Sequence, residues 1–137
     1  METTEATPEI FELKFPVEKR HLDKQNHVNN VQYVQWVQDV AQAHWETRAT
    51  PAQQEKLFWI VVKHEISYKQ QAFLGEEILL QTYVGKTTHV KSTRHVIIKN
   101  AETKKVLVEA KTVWALMDEE KQKPTKISEE LKKVFKQ

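Results

Sequence analysis

Residues 31 to 50, VQYVQWVQDVAQAHWETRAT, restrict the possible folds more than any other part of the chain. Gln32, Gln35, Asp39, Gln42 and Glu46 recur three and four apart, so on a helix they line one narrow polar stripe. Val31, Val34, Trp36, Val37, Val40, Ala41, Ala43 and Trp45 cover most of the remaining circumference. A surface helix of a small domain needs one apolar face. This pattern predicts a helix buried on several sides, and the rest of the chain must wrap it.

The wrapping is legible as period-two alternation. From Ile10 to Val17, Phe11, Leu13, Phe15 and Val17 alternate with Glu12 and Lys14, as in a half-buried strand, and Pro16 places that strand at an edge or an end. Phe58 to Tyr68 sets Ile60, Val62, Ile66 and Tyr68 against Lys63, Glu65 and Ser67. Three more β-rich runs follow, Glu77 to Lys86, His89 to Lys99 and Lys105 to Met117. In the last, Val106, Val108, Ala110, Thr112, Trp114 and Leu116 share a face. Connections near Gly75, Gly85 and Asn100 to Lys104 are short enough for antiparallel neighbours. Ser128, Glu129, Glu130, Lys132 and Lys133 mark a short closing helix, with a cap, acids first and bases last.

The order predicts an α+β domain in which a curved antiparallel sheet wraps one long central helix. A polar leader over residues 1–9 is expected to fray, and residues 10–137 form a single domain. One helix cannot seal a sheet of such long strands, so a second copy is expected to cover what stays open. The expectation is a homodimer.

Several function classes are disfavoured by composition. With no cysteine there is neither a disulfide framework nor thiol catalysis, which suits a reducing compartment and makes cytoplasm the expectation. The first residues lack a basic region followed by an apolar run, and nothing downstream is long enough to span a bilayer, so neither secretion nor membrane insertion is expected. A formal net charge of +2, with bases spread along the chain, argues against nucleic acid. The basic stretch KTTHVKSTRH, residues 86–95, reads either as a solvated strand face or as a contact for a phosphate-bearing ligand through Lys91 and Arg94.

The chemistry concentrates in HLDKQNHVNNVQYVQW, residues 21–36, just ahead of the helix. Asp23 is the only acid between Glu18 and Asp39. A carboxylate there can be a general base, a nucleophile or simply a loop cap. It lies seven residues ahead of Asn30, too far for an ordinary cap, so KQNHVN must loop back and Asn29 or Asn30 must cap the helix. The unpaired amides of that helix start form an anion-stabilising site near the carboxylate. His27 can polarise a carbonyl, orient Asp23 or bond within the loop. His21, Asp23 and His27 match no established metal-ligand spacing, and no metal is expected. His44 and His64 read as core histidines; Tyr33 and Trp36 read as core residues that can also wall a pocket.

DKQNHVNNVQYVQW resembles the signature of hot-dog-fold thioesterases, in which an aspartate, a short loop, HVNN, then tyrosine and tryptophan lead from the first strand into the central helix. FWIVVKHEISYKQQAFLGEEILLQTYV, HVKSTRHVIIKN, VLVEAKTVWALMD and PTKISEELKKVF are similar to the later segments, so the likeness runs from about Ile10 to Phe135. It implies hydrolysis of an acyl thioester, with coenzyme A or acyl carrier protein as part of the substrate and no separate cofactor. It also implies a dimer, or a tetramer of dimers, with sites at the subunit boundary.

By the same likeness to the 4-hydroxybenzoyl-CoA thioesterase branch, Asp23 is the nucleophile or base and the Asn30 amide polarises the carbonyl. Beside these two, from the residues of this chain itself, His27 is expected to assist and Asn29 and Tyr33 to lie against the substrate. The Asp-x-Asn-x-His set of plant acyl-ACP thioesterases becomes Asp23, Gln25 and His27; Gln71 stands where those enzymes carry an acid, and His21 where many bacterial relatives carry aspartate. The altered positions leave a non-hydrolytic acyl-binding or regulatory protein as the alternative. A small β-barrel lipid carrier would need more tight turns than two glycines supply.

Overall fold

The computed structural model describes residues 7–136. Its elements are β1 (Phe11–Pro16), α1 (Asn30–Arg48), α2 (Pro51–Lys56), β2 (Leu57–Tyr68), β3 (Glu77–Thr87), β4 (Lys91–Asn100), β5 (Val106–Asp118), β6 (Lys123–Pro124) and α3 (Glu129–Lys132). The strands form one antiparallel sheet in the order β1-β3-β4-β5-β2, with β6 added beside β5. The sheet curls around α1 as a half-barrel, the hot-dog arrangement. Pro16 does lie on an edge strand.

Alternation decides which face is inside. On β4, Ser92, Arg94, Val96, Ile98 and Asn100 are buried while Lys91, Thr93, His95, Ile97 and Lys99 take the other face. Ile78, Leu80 and Thr82 of β3 and Val108, Ala110 and Thr112 of β5 join them, and α1 contributes Tyr33, Trp36, Val37, Val40, Ala41, His44 and Trp45. Each fully buried aliphatic side chain contributes about 1.5–3 kcal/mol, so this layer dominates the stability. A second, smaller cluster joins Trp45, Ala49 and Leu116 to Ile127, Leu131 and Phe135 of the C-terminal segment.

Three expectations need correction. The helix is covered less completely than its sequence suggests: Gln35, Asp39, Gln42 and Glu46 form the exposed polar stripe, but Val31 is also 73% exposed. Ile60 and Val62 are not on the inner face of β2. The pairing shifts between Val61 and Lys63, leaving Val62 as an extra residue, so Trp59 and Val61 share a face with His64 and Ile66 across that bulge. Val106 likewise leaves the face of Val108, because the β4–β5 register shifts between Ile98 and Lys99 and Leu107 is the extra residue.

Local signals account for the ends. Asn29 caps α1 by accepting from the Val31 N–H at 3.0 Å, as expected. Thr50 and Gln53 form a capping box with Pro51 at the first turn of α2, a helix that the strand and helix periodicities do not reveal. Ser128 caps α3, which is a single turn continued by a 3-10 turn over Lys133–Phe135. Gly75 occupies a turn at φ +83°, whereas Gly85 lies within β3 with the His95 ring where a side chain would stand. Glu9, assigned to the leader from sequence, is tied down: its N–H donates to the Phe135 carbonyl, and its carboxylate accepts from His44 and Arg48.

Candidate active site

The segment before α1 doubles back. Leu22 and Val28 form an isolated antiparallel bridge, the Asp23 N–H donates to the His27 carbonyl at 2.8 Å, and the Asn29 N–H donates to the His21 carbonyl at 3.0 Å. Asn26 closes the tip with φ 62°, a conformation asparagine tolerates better than most residues. The Asp23 carboxylate is part of this closure: Oδ1 accepts from the N–H groups of Gln25 at 2.8 Å and His27 at 3.2 Å. Oδ2 has no hydrogen bond among the described residues. Asp23 therefore both holds the loop and keeps one oxygen free.

Behind the loop, His21 is 3% exposed. Its Nδ1 accepts from the Glu18 N–H at 2.9 Å, and its ring meets Trp36 edge-on at 5.2 Å. Burial lowers its pKa. This residue packs the loop onto α1. No group of three or more His, Cys, Asp or Glu able to hold a metal occurs among the described residues.

A cleft of about 130 Å³ opens at the start of α1, lined by Asn30, Tyr33, Tyr68, Lys69, Gln70 and Gln71. The Asn30 N–H makes no hydrogen bond among the described residues, leaving it free at this cleft. The Tyr33 hydroxyl accepts from the Ala72 N–H at 3.0 Å and so fastens the segment after β2 to the helix; burial raises the pKa of that hydroxyl. His27 packs edge-on against Phe73 at 5.8 Å; neither residue is among those lining the cleft. Asn29, a residue expected to lie against the substrate, caps the helix and is not among the cleft's lining residues.

The structure thus brings Asn30, Tyr33 and Gln71 together around one cleft and places Asp23 and His27 in the adjoining loop; Asp23 is not among the cleft's lining residues. Lys91 and Arg94 are not brought together. They fall on opposite faces of β4, Lys91 exposed and Arg94 buried beneath α1, where Nη1 donates to His44 Nδ1 at 2.9 Å and Thr82 Oγ1 at 3.1 Å. The shared parity of Arg94 with Val96 and Ile98 in the sequence is the signal for that burial. His44 and His64 are satisfied as expected, His64 through Thr112 at 2.9 Å.

Comparison with known proteins gives a consistent result. Residues 8–135 match the family model described as the acyl-ACP thioesterase N-terminal domain. A chloroplastic acyl-[acyl-carrier-protein] hydrolase of Cuphea viscosissima is 26% identical over 77 residues, 56% of this chain and 19% of the relative. The chain spans about one fifth of the length of the curated relatives it matches. Among solved structures, a 1,4-dihydroxy-2-naphthoyl-CoA thioesterase from Synechocystis superposes with a TM-score of 0.80 at 15% identity, over 92% of this chain and 95% of that one. The 12:0-ACP thioesterase from Umbellularia californica gives 0.76 at 13% identity, over 90% and 48%.

Proposed function

Because the chain belongs to the acyl-ACP thioesterase family across residues 8–135, we propose that it hydrolyses acyl thioesters of coenzyme A or acyl carrier protein at the cleft that opens α1. The observation that carries this reading is the unpaired Asn30 N–H at the start of a 19-residue helix, beside a cleft and next to the loop that holds Asp23. That N–H and the positive end of the helix dipole can accept the oxyanion that develops on the thioester carbonyl, a contribution of about 3 kcal/mol per donor.

Asp23 then supplies the base or the nucleophile through its free Oδ2. As a base it takes a proton from water while the hydroxide adds to the carbonyl carbon; collapse of the tetrahedral intermediate expels the thiolate and leaves the carboxylic acid. As a nucleophile Oδ2 adds to the carbonyl carbon, the C–S bond breaks to release the thiolate, and water hydrolyses the resulting acyl-aspartyl anhydride to the carboxylic acid and free Asp23. The Gln25 and His27 N–H bonds to Oδ1 fix the orientation of the carboxylate in either role. Thiolate is a good leaving group, so one carboxylate can suffice without the second acid that Gln71 replaces.

Since Asp23 lies outside the cleft lining of a single chain, the reading includes a second copy. The long β2 edge has no strand on its free side among the described residues, and Ile60 and Val62 are 41% and 49% exposed there. Val31, Tyr68, Phe73 and Leu74 are also exposed close to the cleft in sequence. A homodimer would cover this apolar surface and close the site over the acyl group. No helix is long and apolar enough to cross a membrane among the described residues, and the cysteine-free composition suits the cytoplasm.

The deciding measurement is thiol release over a panel of acyl-CoA and acyl-ACP substrates. Asp23→Ala should lower turnover at least about a hundredfold while circular dichroism and the melting transition stay cooperative. Full activity in that variant would overturn the assignment. Saturable acyl-CoA binding without thiol release by the native protein would favour the non-hydrolytic alternative.

A further inference from the structure

Toward the other end of α1, a small crevice lies between the helix and the sheet, lined by Trp45, Trp59, Ser92, Arg94, Trp114 and Phe135. Gln42, an exposed residue of the same lining, is twelve residues beyond Asn30, about 18 Å along the helix, so this is a different place from the cleft described above. The free space is about 20 Å³, which takes one particle the size of a water molecule.

The groups around this space that lack partners are all donors. Trp59 Nε1 and Trp114 Nε1 are both buried without a hydrogen-bond partner, and an indole nitrogen can only donate. Arg94 is 5% exposed, yet it uses only Nη1 within the protein, toward His44 and Thr82; Nε and Nη2 make no hydrogen bond among the described residues. No carboxylate among the described residues pairs with it. Glu9 is engaged by His44 and Arg48, and burial, with nothing opposing it, pulls the Arg94 pKa down to about 9. The Phe135 ring, 4.8 Å from the guanidinium carbon, offers only a partial counter-charge. The sheet register groups the donors: Ser92 pairs with Trp114, Arg94 is two residues along β4, and Trp59 pairs with Leu116, two residues along β5.

We propose that the crevice holds one monatomic anion, a chloride or another halide, which accepts hydrogen bonds from both indole N–H groups and from Arg94. A water molecule brings two protons that need acceptors of their own, and it leaves the buried guanidinium without a counter-charge, a costly state in a low-dielectric interior. A carboxylate, phosphate or sulfate supplies the charge but needs more room than one water takes. A bare halide supplies the charge, accepts from several directions at once and fits the space. Bound there, it ties β2, β4 and β5 together beneath α1, whether or not the chain hydrolyses thioesters.

The test is chloride NMR on the full chain, with ionic strength held constant by potassium gluconate. Exchange of chloride with the site should add an excess line width that bromide removes and sulfate does not. Arg94→Met should abolish the excess. Trp114→Phe, which removes one donor and keeps an aromatic wall, should reduce it several-fold and carries the decision if Arg94→Met does not fold. Crystals soaked in bromide should show an anomalous peak within hydrogen-bond distance of Trp59 Nε1, Trp114 Nε1 and the Arg94 guanidinium, and this map decides if exchange is too slow to broaden the line. A water without anomalous signal at that position, an excess that sulfate removes as well as bromide does, or unchanged broadening in Trp114→Phe and a folded Arg94→Met would overturn the proposal.

Discussion

Tyr33 shows how one side chain serves both packing and site geometry. It is 1% exposed, stacks edge-on with Trp36 and Tyr68 at 5.5 and 6.0 Å, and its hydroxyl receives the Ala72 N–H. Tyr33→Phe keeps the packing but orphans a buried backbone donor, which costs about 1–3 kcal/mol. The expected result is a lower denaturant midpoint with an unchanged m-value, and a KM that rises more than kcat falls because the 68–71 wall loosens. An unchanged midpoint would mean that water replaces the hydroxyl. Both aspects of Tyr33, core and pocket wall, are legible in the sequence from its position one turn into an apolar helix. The placement of Arg94 is legible only if strand parity is allowed to override the usual exposure of arginine. The orphan N–H groups of Trp59 and Trp114 are not legible at all, because a missing partner is a property of three-dimensional surroundings.

At the scale of elements, a polar relay fastens the N-terminal segment to α1 and β4. Arg94 donates to His44 Nδ1, so the neutral His44 ring carries its proton on Nε2 and donates it to Glu9 at 2.7 Å; Arg48 grips the same carboxylate at 2.6 Å. Burial, with Arg94 and Arg48 adding to it against the opposing influence of Glu9, lowers the His44 pKa to about 4. The Arg48 hydrogen bond, aided by His44 and opposed by partial burial, lowers that of Glu9 to about 2. Both folded values lie below the unfolded ones, so both groups contribute stability that is complete above the unfolded pKa and lost as pH falls through the folded pKa. The His44 contribution should fade between about pH 6.5 and 4. The Glu9 contribution should fade between about pH 4.5 and 2.

Arg48 is partly exposed, so solvent screens its pairing with Glu9 and keeps that contribution small. Melting temperatures across pH should therefore fall in two legs. Glu9→Gln should flatten the lower leg and His44→Gln the upper; identical profiles in all three proteins would refute the relay. The elements themselves were largely legible, since alternation and helical periodicity are local. The relay was not, because it joins Glu9 to a helix residue 35 positions away, and the two register shifts that misassign Ile60, Val62 and Val106 come from pairing between strands, which a single run of residues does not encode.

At the scale of the whole molecule, the unfinished surface is the strongest argument for assembly. The curled sheet covers one flank of α1, and β2 leaves a 12-residue edge whose outer apolar residues face solvent in the single chain. Unprotected edges of that length invite pairing, and exposed apolar surface along such an edge marks an interface. Val62 is a sensitive probe because its bulge already releases it from regular pairing with β5, so Val62→Lys should leave the fold unchanged while placing a charge where the second copy would pack. Burying an unpaired charge there costs about 3 kcal/mol, more than a hundredfold in the dimer dissociation constant. Sedimentation velocity should show the native chain as a dimer and Val62→Lys as a folded monomer. If the second copy completes the cleft, thiol release should fall with the dimer fraction and recover at high protein concentration; a fully active monomer would place the entire reaction within one chain, and a monomeric native protein would remove the dimer from the proposal.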